Sequence, residues 1–208
     1  MTPGGSIIFS CPHCGRKKSL LAILSGNTFG SILWSDNKMI APMLPRPSYI
    51  QKCNNCGQYF TLGFLDSERS EEECFDLGEL NYQQTKEALF QMENKGFINF
   101  EDELNVRINF IQSYNDEYSR KIKLPSDEDR ILSIKNIHIL VDSALWPKNE
   151  IFTMALKAEY LREIGDFERA IDIISHLPTS KIDFENEYIR LVKEKIIEKN
   201  GSLVKACV

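Results

Sequence analysis

Two copies of one short pattern limit this chain more than anything else in it. They are Cys11-Pro-His-Cys14-Gly15 and Cys53-Asn-Asn-Cys56-Gly57, with 38 residues between Cys14 and Cys53. Two residues between thiolates let one tight turn aim both sulfurs at the same ion, and the glycine supplies the positive φ that closes the turn. Two such turns brought together by strands make a four-thiolate site, with the intervening residues as the ribbon between them. Three chemistries use C-x-x-C: structural zinc, rubredoxin-type iron and a thioredoxin-like redox pair. The redox pair requires a single motif on a βαβ background, which this sequence lacks. The reading adopted is one structural Zn2+ held by Cys11, Cys14, Cys53 and Cys56. Four thiolates close the coordination sphere, so no position is left for a reactive water. His13, between the first two thiols, is expected as an exposed loop residue, and Cys74 and Cys207 stand outside the pattern.

Composition restricts the setting. At 208 residues and 42% hydrophobic, the chain is long enough to bury a core of its own. Its six cysteines are therefore not read as the disulfide frame of a small secreted domain. The N-terminus carries neither a basic n-region nor a long apolar run, so no secretion signal is expected. Apolar runs such as Leu20–Leu24 are too short to cross a bilayer. A cytoplasmic location and no membrane partner are the corresponding expectations. Charge is divided unevenly: residues 1–65 hold six basic side chains against Asp36 alone, +5, and the remainder holds 19 against 29, −10.

Periodicity predicts an α+β chain, a small β-rich zinc ribbon followed by an α-helical domain. The expected domains are the ribbon at 1–65, an acidic linker at 66–79 and helices over 80–208. Strands are expected at Ile7–Ser10, Leu20–Leu24, Ser48–Lys52 and Tyr59–Leu62, with Pro42, Pro45 and Pro47 breaking regular structure between them. Helices are expected at 80–95, 101–120, 126–145, 149–164, 166–177 and 183–199. The third, apolar nearly all round, is expected at the centre. On the second, Leu104, Ile108, Ile111 and Tyr118 form the apolar stripe. Glu103, Arg107, Asn115, Asp116 and Arg120 are read as an exposed face of i,i+4 pairs rather than a buried network. Ala158, Leu161, Gly165, Phe167, Ala170, Ile171 and Ile174 follow the spacing of a tetratricopeptide helix pair. No second copy is present, so a hairpin is expected rather than a solenoid.

Three roles compete for the residues that decorate the ribbon. Phe29, Trp34, Met43 and Leu44 would suit a protein-binding surface, or would pack the ribbon onto the helices. Arg16, Lys17, Lys18, Lys38 and Lys52 would suit phosphate contacts to a nucleic acid. No Gly-rich phosphate loop, Ser-His-Asp order or H-E-x-x-H is present, and no catalytic residue is assigned. The functional expectation is a non-enzymatic, zinc-binding adaptor for a protein partner. The alternative is association with nucleic acid through the basic ribbon.

Taken in order, these motifs resemble an uncharacterised bacterial family. Its pattern runs C-x-x-C, SGNTFG, WSD-K, PMLP, C-x-x-C, then Glu-x-x-x-Arg with Asn-Asp, then LR-x-x-G-x-F-x-x-A. Here these are Cys11/Cys14, Ser25–Gly30, Trp34–Lys38, Pro42–Pro45, Cys53/Cys56, Glu103/Arg107 with Asn115/Asp116, and Leu161–Ala170. The resemblance spans most of the chain and implies a bacterial cytoplasmic protein, with no activity attached.

Overall fold

The computed structural model describes residues 2–72, 74–146 and 150–206. It is α+β, with short strands through the N-terminal third and six helices after them. Cys207 lies outside the described residues. By contact density the chain divides into two units, residues 1–31 with 40–113, and residues 32–39 with 114–208. This division differs from the expected 1–65, 66–79 and 80–208. The stretch 66–79, read as a linker, supplies a strand. The first helix and most of the second belong with the ribbon. A short loop of the ribbon belongs with the later helices.

In the first unit, β1 (Thr2–Ser10) lies between β2 (Lys17–Ser25) and β7 (Ser67–Ser70), antiparallel to both. Its register pairs Ile7 with Leu20 and Phe9 with Lys18. Leu20, Leu21 and Ala22 turn inward as an unbroken apolar run. β5 (Ile50–Lys52) and β6 (Tyr59–Thr61) form a two-stranded hairpin around the second knuckle. Helix α1 (Tyr82–Lys95) starts with a reciprocal capping box: Asn81 accepts from the Gln84 amide, and the Gln84 side chain accepts from the Asn81 amide. It docks on β6 through Gln91, which donates to the Tyr59 carbonyl at 2.9 Å, and through Glu87, which accepts from the Tyr59 hydroxyl at 2.7 Å.

Helix α2 (Phe100–Glu117) buries Val106, Phe110 and Ile111 with Asp102 and Arg107. The expected stripe of Leu104, Ile108 and Tyr118 is only partly buried. The reason is polar anchoring, which hydrophobic periodicity does not detect. Asp102 accepts from the Thr61 hydroxyl at 2.6 Å, the Tyr49 hydroxyl at 3.2 Å and the Ile98 amide at 3.1 Å. Arg107 is held between Glu103 and Glu93. The helix is thereby rotated toward its polar residues. Asp102→Ala should cost about 2–4 kcal/mol, because a buried and a half-buried hydroxyl and an amide lose a charged acceptor. Chemical denaturation of the full chain measures it.

In the second unit, β3 (Ile32–Trp34) pairs with β8 (Lys205–Ala206) and with β4 (Met39–Ile40). Helix α3 (Asp127–Asp142) is capped by Ser126, which accepts from the Asp129 amide as its spacing predicts. Its buried face is Ser133, Asn136, Ile137, Leu140 and Val141, and Ile131 is 62% exposed. The central helix is instead α4 (Ile151–Glu163), buried nearly all round because it packs against α3, α5 (Phe167–Ser175) and α6 (Asp183–Ile197). α4 and α5 form a hairpin through residues 164–166, with Ala158, Leu161, Ala170 and Ile174 buried in it. None of the described helices is long and apolar enough to cross a membrane.

Candidate metal centre

Both knuckles are built alike. Gly15 donates its amide to the Cys11 carbonyl at 2.8 Å, and Gly57 to the Cys53 carbonyl at 2.9 Å. Both glycines have positive φ, +70° and +71°. A second bond closes each turn, Cys11 N–H to the Arg16 carbonyl and Cys53 N–H to the Gln58 carbonyl, both at 2.9 Å. The turns leave amides directed at sulfur: His13 and Cys14 toward Cys11, Arg16 toward Cys14, Asn55 and Cys56 toward Cys53, and Gln58 toward Cys56. Such donors stabilise thiolate charge and fix the direction of each sulfur lone pair.

The four sulfurs lie within 4.8 Å of one another. Cys11 and Cys56 are 3.8 Å apart, and Cys14 and Cys53 are 3.6 Å apart. Ligands about 2.3 Å from a tetrahedral ion stand about 3.8 Å from each other. These separations therefore fit one ion at the centre, and they are much too long for a disulfide. Cys11, Cys53 and Phe60 form a small buried cluster under Leu62 and Leu65. Burial pushes the Cys11 thiol up to about 12, whereas amide donors, led by Cys56, pull Cys53 down to about 6. A centre of this kind binds its ion by releasing protons from the thiols. His13 is exposed and bonds to the Tyr59 carbonyl at 3.1 Å.

The remaining residues singled out by sequence divide between the units. Phe29, Met43 and Leu44 lie in the first, with Arg16, Lys17, Lys18 and Lys52. Phe29 is 81% exposed. Gly26 packs directly on the second apolar motif, where an added Cβ would stand 2.4 Å from the Met43 carbonyl and 2.8 Å from Leu44. Only glycine admits that approach. The basic residues are mostly engaged: Lys17 with Glu68 at 2.8 Å, Lys18 with Asp76 at 3.9 Å, and Lys52 with Glu87 at 3.9 Å.

Trp34, the last residue of β3, and Lys38, in the tight turn between β3 and β4, belong to the second unit. Arg120 and Lys205 each approach the Trp34 ring, at 5.1 and 5.7 Å, in cation–π geometry. Ser35 and Asp36, in the same turn, have no exposed surface. Both Asp36 carboxylate oxygens accept from Arg120 Nη2, at 2.6 and 2.7 Å, and Oδ2 also accepts from Asn115 at 3.0 Å. Arg120 also reaches Asp116, which holds Lys38, and Asn115 donates on to Glu163 at 3.0 Å. Asn115, Asp116 and Arg120, read as part of an exposed face, thus belong to a buried network organised by Asp36. Glu159 and Arg162 extend the buried charge along α4 as a two-armed pair at 2.6 and 2.7 Å. Sequence reading missed this pair. Its one signal was two opposite charges three residues apart in a largely apolar helix.

Glu163 carries the proton of this network. Burial, and then the negative charges of Glu159 and Asp36, push its carboxyl well above the ordinary 4.5. Burial also raises the Asp36 carboxyl above its ordinary 3.8, opposed by the charge and hydrogen bonds of Arg120 and by Asn115. Between 4.5 and its raised value, Glu163 holds a proton in the folded state that it lacks in the unfolded one. Its contribution is therefore fully present below pH 4.5 and is lost as pH rises. The stability of wild type minus that of Glu163→Gln, followed by denaturation from pH 4.5 to about pH 8, should fall across the range. A flat difference would place the proton elsewhere. No protein-family profile, curated protein or solved structure matches this chain.

Proposed function

We propose that the chain is a zinc protein acting as a non-enzymatic adaptor, whose ribbon presents an apolar surface to a protein partner. The observation that carries this reading is the packing of the 25–30 segment on the 42–45 segment at Gly26, with Phe29 and Met43 left open to solvent. Large side chains exposed on an ordered turn mark interaction sites more often than solitary surface residues do. Leu44 flanks them, whereas Trp34 supports the fold of its own unit. Zinc is the ion proposed, as the usual occupant of a closed four-thiolate structural site; rubredoxin-type iron would use the same knuckles, and metal analysis separates the two. The likeness to an uncharacterised bacterial cytoplasmic family, and the tetratricopeptide-like spacing of the α4–α5 hairpin, agree with a scaffolding role.

The nucleic-acid alternative is supported less well. Zinc with four thiolates carries −2, which lowers residues 1–65 from +5 to about +3. Lys17, Lys18, Lys38 and Lys52 all face carboxylates, so phosphates would have to displace them. Phe29→Ser should leave the melting temperature unchanged, as expected for an exposed position, and remove the partner in co-purification from the host with nuclease present. A partner retained by Phe29→Ser and by Met43→Ser would refute the surface. One lost on nuclease treatment alone, with binding that falls steeply in salt, would establish the basic ribbon instead.

A further inference from the structure

Beside the buried charges of the second unit lies a cavity of about 220 Å3. Its wall includes Glu163, Asn115, Ser119, Ser133 and Tyr114, with Ile134, Ile137, Ile164 and Leu203 as the apolar part. It is smaller than the roughly 300–1,000 Å3 of drug-sized sites and large enough for a compact molecule with a short hydrocarbon body.

The charges around it balance only while Glu163 holds its proton. Asp36, Asp116, Glu159 and Glu163 are four carboxyls, paired among the described residues with three cations, Arg120, Lys38 and Arg162. Asp36 is tied to Arg120, Asp116 to Lys38 and Arg120, and Glu159 to Arg162. Glu163 receives a single amide bond, from Asn115, and its Oε1 is buried with no hydrogen-bond partner among the described residues. An orphaned buried carboxyl oxygen is costly unless something occasionally satisfies it. Asn115 has no donor left to offer, because its amide serves Asp36 and Glu163 and its carbonyl accepts from Ser119. Arg130, the other charged residue of the wall, reaches outward to Asp127 at 3.3 Å and is largely exposed. Tyr114 offers an aromatic wall, the surface against which ammonium groups pack well.

We propose that this cavity is a binding site for a small primary amine, whose ammonium group pairs with Glu163 as the missing fourth cation. The hydrocarbon part of the ligand lies against Ile134, Ile137 and Leu203. An alcohol of the same length brings no charge to complete the network, and a carboxylate brings one of the wrong sign. Binding converts the Glu163 carboxylic acid to carboxylate. One proton then passes to solvent for each ammonium bound, and no bond other than O–H is broken.

Calorimetric titration of the full chain with n-pentylamine, 1-pentanol and pentanoate tests this, each in two buffers of different ionisation enthalpy at pH 7. The expected result is saturable binding of pentylamine with release of about one proton, and binding of pentanol weaker by roughly 10–100-fold. Glu163→Gln should keep the fold, read by its melting curve, and lose both the preference and the proton release. The proton count in wild type stands even if that variant misfolds. Absence of saturable amine binding would overturn the proposal, leaving a cavity filled by water. Equal binding of amine and alcohol without proton release would overturn it as well.

Discussion

Replacing Cys14 or Cys56 by serine should strip the protein of its metal and unravel the knuckle-bearing part of the first unit. Structural zinc in small peptides contributes roughly 10–16 kcal/mol of folding free energy. That is comparable with the whole stability of a typical domain, about 5–15 kcal/mol. The sulfurs converge on a point with little apolar burial of their own beyond Cys11, Cys53 and Phe60. Without the ion, β5, β6 and both turns should lose their protection from amide exchange. Elsewhere the first unit has Leu20, Leu89, Phe110 and Ile111 in its core, so its remaining strands and α1 should exchange more slowly. Metal analysis should give one zinc for each wild-type chain and none for either variant. A variant that kept its zinc and melted like wild type would end the four-thiolate assignment, and iron in place of zinc would correct the identity of the ion.

The second large effect is expected at Arg162→Ala. Glu159 and Arg162 are both without exposed surface, and Arg162 also donates to the carbonyls of Asn200 and Ser202. Removing it strands a buried carboxylate beside Glu163 and frees two carbonyls, at a cost of about 3–5 kcal/mol. Arg162→Met with Glu159→Leu should cost much less, since a buried ion pair exchanged for apolar groups of similar volume is often nearly neutral. Denaturant titration of the two variants separates the cases. Equal destabilisation would mean that the carbonyl bonds to 200 and 202, rather than the charge, hold the site.

The metal centre was legible in the sequence because its grammar is local. Spacing and glycine fix each turn over five residues, and two turns of one kind can converge on a single metal position. The six helices were legible for a similar reason, since capping at Ser126 and breaks at Gly96, Gly165 and Pro178 act within one turn of chain. What escaped reading was rotation and membership. α2 turns toward Asp102 and Arg107 because distant partners, Thr61 and Glu93, satisfy them. α3 looked more central than α4 because α4 carries Glu159 and Arg162, which look exposed until their mutual bond is seen.

Asp36 shows the difference most clearly. In the sequence it is one acid in a basic segment. In the fold it is the buried acceptor for Arg120 and Asn115, some 80 positions along the chain. The sequence by itself determined the four-cysteine centre, the α+β order of elements and the α4–α5 hairpin, because each rests on interactions between near neighbours. Only the tertiary structure decided which polar residues are buried, where the two units divide and that Glu163 has no paired cation among the described residues. A charge is buried or exposed according to partners far along the chain, and periodicity carries no record of them.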